Sequence, residues 1–253
     1  MPSAIDLSIV VPTFNGSLTL EGLVDEILSV FGGEQIEIVL VNDGSVDDTE
    51  SICRRIAQTF PATVKFVQLA RNFGEHNAVL AGLSRVSGAC VGILDDDGQN
   101  PPAELLRMWK RLRETGDDVV YGRYLHKQHS WWRNAGSWLN GLVATILGGK
   151  PRDLYLSSFK VMRRPLVQEL LKYRGSRPYL DGLIWRSTRR ISQLDVVHRR
   201  RQLGQSGYTP RKLIWLGLDM IFCFSNVGWR FVRRAGPPPF VIRDVQAGDT
   251  AGD

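Results

Sequence analysis

Five short runs dense in β-branched and other apolar residues punctuate the first half of the chain: LSIVVPT from Leu7, IEIVLV from Ile36, VKFVQL from Val64, CVGIL from Cys90 and DVVYG from Asp118. Each is followed by a stretch with apolar residues at helical spacing or with capping residues at its start. Continuous apolar runs of this length predict strands buried on both faces, and their alternation with helices predicts an α/β fold around a mainly parallel sheet. No internal repeat interrupts the pattern. Near the end, AGPPPF from Ala235 to Phe240 leads into a polar tail from about Arg243 that is expected to be disordered, with the folded part ending before it.

Composition narrows this picture a little. At 253 residues and 43% hydrophobic, the chain can fill the core of one large domain. Cys53, Cys90 and Cys223 share no metal-type spacing, and an odd count without a secretory leader fits reduced thiols in a cytosolic compartment. The formal charge of +6 and a pI near 9.4 point to an anionic partner: nucleotide phosphate, nucleic acid or an acidic membrane surface. No nucleic-acid-binding motif is present, so nucleic acid is set aside. His76, His126, His129 and His198 have no spacing that would make a zinc site.

In an open parallel sheet, ligands collect in the crevice beyond the carboxyl ends of the strands, and two polar loops stand out there. VNDGSVDDT, Val41 to Thr49, offers Asp43 either as an acceptor for a nucleobase edge or as a turn former in NDG. LDDDGQNPP, Leu94 to Pro102, sets Asp95, Asp96 and Asp97 side by side at a strand end. Adjacent carboxylates repel one another unless a cation or strong donors offset them, which favours a divalent ion bridging to substrate phosphates. Oxygen ligands, here carboxylates and the Gln99 amide, suit magnesium or manganese rather than zinc. Asn100, Pro101 and Pro102 read as an N-cap followed by prolines in the first turn of a helix.

Six segments together resemble a known family. IVVPTFN, VNDGSVDDT, RNFGEHNAVLAGL, LDDDGQNPP, SSFKVMRR and HRRRQLGQSGYTPRKL are similar, in order and approximate spacing, to family 2 glycosyltransferases of the dolichol-phosphate mannose synthase type, and nearest to the bacterial polyprenyl-phosphate glycosyltransferases. The resemblance covers about residues 7 to 232. It implies a GT-A fold in which Asp95 and Asp97, with Gln99, face a Mg2+ or Mn2+ ion on the donor diphosphate beside Asp96. Pro12, Thr13, Phe14 and Asp43 would surround the nucleobase. It also implies transfer of a sugar from a nucleotide diphosphate to a polyprenyl phosphate, with inversion. Arg123, Arg133 and Ser137 would receive the acceptor phosphate, and Arg201, in a pattern with His198, Gly204 and Ser206, would reach the donor diphosphate. Asp97, Arg123, Arg133 and Arg201 are thereby the residues expected to carry catalysis. Asp181 in YLDGLIW is open between a base and a residue that orients a loop or the sugar. Phe14 to Ser17 depart from the family's usual Pro-x-Tyr-Asn-Glu-Glu string, which leaves the nucleobase open, and Asn100 replaces a common aspartate.

The implied organisation is a catalytic domain over residues 1–208, an amphipathic segment over 209–234 and a Pro-rich polar tail over 235–253. LIWLGLDMIFCF, Leu213 to Phe224, is too short to cross a bilayer and contains Asp219, so it reads as a helix in the membrane surface or one packed on the core. Trp131 and Trp132 beside Arg133 suit a headgroup region. The expected location is peripheral, on the cytoplasmic face of the inner membrane, and self-association or a membrane-protein partner is compatible with the sequence. The rival functions are a glycosyltransferase with another acceptor and a catalytically silent nucleotide-sugar scaffold.

Overall fold

A computed structural model of the chain describes residues 5–124, 154–175, 178–199 and 240–247. Within them lie eight strands: β1 (Leu7–Thr13), β2 (Ile36–Asn42), β3 (Val64–Leu69), β4 (Cys90–Ile93), β5 (Val119–Tyr124), β6 (Lys160–Arg163), β7 (Ile191–Val196) and β8 (Ile242–Gln246). They form one sheet in the order β7-β5-β6-β4-β1-β2-β3-β8. The helices are α1 (Leu20–Val30), α2 (Thr49–Thr59), α3 (Glu75–Leu83), α4 (Pro102–Glu114), α5 (Arg164–Leu170) and α6 (Leu180–Ser187).

All five predicted strands form, and every residue of β1, β2 and β4 is buried. The alternation of side chains explains the two cores. Leu7, Ile9 and Val11 face α1, α2 and α4 through Leu23, Ile27, Cys53 and Trp109, whereas Val10, Val91 and Ile93 face α3, α5 and α6 through Leu80, Leu166 and Ile184. Helices therefore cover both faces. Strands β1, β2, β3 and β4 run parallel, but β6 is inserted antiparallel between β4 and β5. Strand order reverses at β1 and β4, and the loops that leave their carboxyl ends diverge there to open a crevice.

The expected disorder of the tail from Arg243 is corrected at β8, which pairs antiparallel with β3 and carries Val245 opposite Val67. A bare β3 edge would leave a row of unpaired amides; β8 satisfies them, and ion pairs to α2 hold it, Arg54 to Asp244 at 2.7 Å and Arg243 to Glu50 at 2.5 Å. The chain thus returns to the sheet after the proline run. A second correction concerns the start of α4. Pro101, not Asn100, occupies the N-cap position, with no side-chain capping bond, and the Asn100 side chain is used elsewhere. Cys53 and Cys90 are buried free thiols.

The amphipathic segment expected over 209–234 lies outside the described residues, as do Cys223 and Trp131–Trp132. No helix among the described residues is long and apolar enough to cross a membrane.

Candidate active site

Three loops meet beyond the ends of β1, β2 and β4. Thr13, opposite Asn42 in the β1–β2 register, ends β1; its carbonyl accepts the Asp43 amide at 2.9 Å. Asn42 then shapes the next turn, its Oδ1 accepting from the Ser45 amide at 3.1 Å and the Ser45 hydroxyl at 2.5 Å. Gly44 follows at φ 66° with its α-carbon against the backbone of Arg71 and Asn72, where an added Cβ would come within 2.4 Å of a carbonyl carbon.

The Phe14–Ser17 stretch is laced to this turn. The Asn15 amide donates to Ser45 Oγ at 2.9 Å, Asn15 Oδ1 accepts the Val46 amide at 3.0 Å, and the Gly16 amide donates to Thr49 Oγ1 at 2.9 Å. Pro12 and Thr13 are buried beneath it, while the Phe14 ring, 48% exposed, stands at the rim.

Asp43 has a role that neither sequence reading contains. Its Oδ1 accepts the Phe73 amide at 2.7 Å and its Oδ2 the Gly74 amide at 2.8 Å, so the carboxylate clamps the RNFGEHN loop that leads into α3. Burial raises this carboxyl above its ordinary value, and the two amides oppose the rise.

The three aspartates after β4 point to different partners. Asp95 Oδ2 accepts from the Ser158 hydroxyl at 2.7 Å and from Asn100 Nδ2 at 3.0 Å. Asp96 Oδ2 accepts from the Thr13 hydroxyl at 2.5 Å, and a Cβ on Gly16 would come within 2.4 Å of both oxygens, so a glycine is needed for this approach. Asp97 Oδ1 accepts the Gln99 amide at 3.0 Å. Burial pushes the Asp95 carboxyl up to about 7; the Glu75 and Asp97 carboxylates add to this, while the Ser158 hydroxyl and the Lys160 ammonium oppose it.

Gln99 is held by its nitrogen, Nε2 donating to the Arg199 carbonyl at 3.2 Å while the Arg199 amide donates to the Gln99 carbonyl at 2.8 Å. The Arg199 guanidinium makes a two-pronged pair with Glu26, both contacts at 3.0 Å. His198 packs its ring 4.3 Å from that of Tyr124, which fits a brace at the root of its segment.

Arg123 extends from β5 into a bidentate pair with Asp195 of β7: Nη2 donates to Oδ2 at 2.9 Å and Nε to Oδ1. The guanidinium keeps the Asp195 carboxyl below its ordinary value. Asp181 on α6 is paired with the ammonium of Lys160 on β6 and accepts from the Tyr121 hydroxyl at 3.0 Å. Arg133, Ser137 and Arg201 lie outside the described residues.

The structure adds Ser158, Lys160, Asn100 and Tyr124 to the site. One sequence signal was available for Lys160: it stands between Phe159 and the apolar pair Val161–Met162, where a lysine drawn into a strand is a buried cation in need of a partner. The direction of the Asn100 side chain has no such signal. Among the described residues no three His, Cys, Asp or Glu side chains form a ready-made metal cage. The oxygen-only donors of Asp95, Asp97 and Gln99, and the carboxylate crowding at Asp95, fit a hard divalent ion that takes part of its shell from water and substrate phosphates.

Known proteins resemble this chain in both sequence and overall fold. Residues 8–171 match the sequence model of glycosyl transferase family 2. The undecaprenyl-phosphate 4-deoxy-4-formamido-L-arabinose transferase of Serratia proteamaculans (strain 568) is 32% identical over 232 residues, covering 91% of this chain and 71% of that protein. The protein of the same name from Pseudomonas syringae pv. syringae (strain B728a) is 34% identical over 232 residues, 91% of this chain and 68% of that one. Among solved structures, glucosyl-3-phosphoglycerate synthase from Mycobacterium tuberculosis, in complex with Mn2+, UDP and phosphoglyceric acid, superposes with a TM-score of 0.65 at 20% identity, covering 92% of this chain and 79% of that one. The chain belongs to glycosyl transferase family 2: it is a glycosyltransferase with a GT-A fold.

Proposed function

We propose that the chain transfers a sugar from a nucleoside-diphosphate donor to a polyprenyl phosphate at a membrane surface, with Asp95, Asp97 and Gln99 holding a divalent cation. The observation that carries this reading is the aspartate loop at the end of β4, in the crevice where the strand order reverses. The relatives' names support the acceptor, and the Mn2+ and UDP in the glucosyl-3-phosphoglycerate synthase complex support the donor and the ion.

When bound, the cation would neutralise charge that grows on the departing diphosphate. The chain supplies the rest. Thr13 holds Asp96 against the Gly16 backbone, and Ser158 and Asn100 hold Asp95, so that this loop is set before the donor arrives. Pro12, Thr13 and Phe14 form the base side; Asp43 acts there by shaping the RNFGEHN loop, and each of its oxygens has a further lone pair for a base edge. A phosphate acceptor is already anionic near neutral pH and needs no strong base, which suits inversion by direct attack. Arg133 and Ser137 are proposed for the acceptor phosphate and Arg201 for the donor diphosphate. Arg123 can join the acceptor site by exchanging Asp195 for phosphate, since its fork fits both anions. The basic and apolar pattern of 209–234 supports contact with the membrane surface.

The full chain should be incubated with a panel of UDP-sugars, undecaprenyl phosphate in detergent and Mn2+, with the lipid products read by mass spectrometry. A glycosylated lipid phosphate that disappears in excess chelator is the expected product. Transfer to phosphoglycerate but not to the lipid would replace this acceptor, and donor binding without any transfer would identify a silent scaffold.

The pH dependence has a definite sign. The Asp95 carboxyl is raised from 3.8 to about 7 by burial, so protonation favours the folded state; its contribution to stability is present below about pH 4 and is lost as pH rises through about 7. Cation binding needs the ionised carboxylate and runs the opposite way. Mn2+ affinity, measured by titration calorimetry, is expected to strengthen about tenfold from pH 6 to pH 8. A flat profile would remove Asp95 from the ligand set.

A further inference from the structure

We infer that Asn100 is a positioning residue: its carboxamide, oriented by Tyr124, turns Asp95 so that one carboxylate oxygen is presented to the donor-site cation. This rests on the cation reading above but concerns Asn100 and Tyr124, which are not among its proposed ligands.

Asn100 is 2% exposed and leaves no room for solvent to substitute for its partners. Its Nδ2 donates to Asp95 Oδ2 at 3.0 Å, and its Oδ1 accepts from the Tyr124 hydroxyl at 2.8 Å. With Asp95 ionised, as cation binding requires, the chemistry of the three groups allows one arrangement. An ionised carboxylate can only accept, a carboxamide has one donating and one accepting end, and the hydroxyl must then donate. Burial pushes the pKa of the Tyr124 hydroxyl well above its ordinary value, with the Asp95 carboxylate adding to the rise, so the proton it donates is retained.

The relay is held at both ends. The Tyr124 ring lies 4.3 Å from that of His198 and 5.8 Å from that of Tyr155, so the hydroxyl is fixed in direction. At the other end Asp95 Oδ2 takes a second donor, the Ser158 hydroxyl at 2.7 Å, from the loop before β6. Two donors on one oxygen, from α4's leading loop and from the β6 side, fix the rotation of the carboxylate and leave Oδ1 outside both bonds. An aspartate at position 100 would lack the donor and set a second anion against Asp95, which gives this chain's asparagine a physical reason.

The test is Mn2+ binding, read by electron paramagnetic resonance on the full chain with no donor present. Loss of a residue that orients a metal ligand typically costs 10- to 100-fold in affinity, so Asn100→Ala is expected to raise the Kd by about that factor. Tyr124→Phe removes one neutral hydrogen bond and should raise it about two- to tenfold. The double variant should be no weaker than Asn100→Ala alone, because Tyr124 acts through Asn100. Turnover of Asn100→Ala should recover toward wild type at high Mn2+, which a merely structural defect would not do. A wild-type Kd in folded Asn100→Ala, or additive losses in the double variant, overturns the inference. If Asn100→Ala fails to fold, Asn100→Ser and Tyr124→Phe carry the same comparison. Absence of Mn2+ binding in the wild-type chain would overturn the cation reading as well, whereas normal wild-type binding abolished by Asp97→Asn but unmoved at Asn100 overturns this inference alone.

Discussion

Asp97→Asn is expected to lower turnover by about 10²- to 10³-fold while the protein stays folded, the loss typical for removal of one group that stabilises charge in the transition state. The substitution preserves shape. An asparagine oxygen can still accept the Gln99 amide, now 3.0 Å from Asp97 Oδ1, so the loop after β4 retains its local bond. What disappears is a negative charge in a cluster where Asp97 and Glu75 both disfavour ionisation of Asp95. Removing it relieves repulsion in the cation-free protein, and thermal unfolding without metal should be unchanged or slightly higher in temperature. The protection that Mn2+ confers should shrink, since binding to the native state stabilises in proportion to affinity. Turnover at saturating donor and unfolding curves with and without Mn2+ test both halves. Near-normal turnover in the variant, or full wild-type activity in excess chelator, would exclude the proposed role of Asp97.

Lys160→Met is expected to have the largest effect on stability. The Lys160 side chain is 2% exposed and that of Asp181 11%, and the ammonium also lies 5.0 Å from the centre of the Tyr121 ring. Methionine fills similar volume but leaves the Asp181 carboxylate buried without the ammonium, with the Tyr121 hydroxyl still donating to it at 3.0 Å. Breaking one side of a buried pair costs about 3–5 kcal/mol, which for a chain of this size corresponds to a fall in Tm of roughly 6–20 °C. Replacing both members, Lys160→Met with Asp181→Leu, should recover most of that loss, because no uncompensated charge is left. The same pair of proteins addresses Asp181. If the double variant is stable and still transfers sugar, Asp181 is structural; if it is stable and inactive, the carboxylate or the ammonium acts on the substrate side. A Tm within about 2 °C of wild type for Lys160→Met would contradict the burial argument.

The parts of the site that were legible in the sequence are those with local causes. Asp95, Asp96 and Asp97 stand out because three carboxylates follow an apolar strand, and Pro101–Pro102 announce a helix that does begin at Pro102. The roles of single side chains were less legible. Asn100 reads as a cap from its neighbours along the chain, yet its amide is captured by Tyr124, 24 positions away, and by Asp95. Arg123 reads as a free phosphate ligand, yet its guanidinium meets Asp195, 72 positions on, because β5 and β7 are parallel neighbours with those two residues in register. Asp43 reads as a turn residue or a base ligand, and the fold gives its oxygens to two backbone amides of the loop before α3.

By itself the sequence determined the α/β class, the five strands β1 to β5, the place of the aspartate loop and the family, since periodicity, turn chemistry and ordered motifs act over a few residues at a time. Tertiary structure decided what depends on pairing between distant segments. It inserted β6 antiparallel between β4 and β5, brought Ser158 and Lys160 toward Asp95, and returned β8 to cover the β3 edge after a run of prolines. The physical reason is the same in each case: a strand's neighbour and a buried polar group's partner are chosen by which unsatisfied groups the folded chain brings within hydrogen-bonding distance, and separation along the sequence carries no record of that choice.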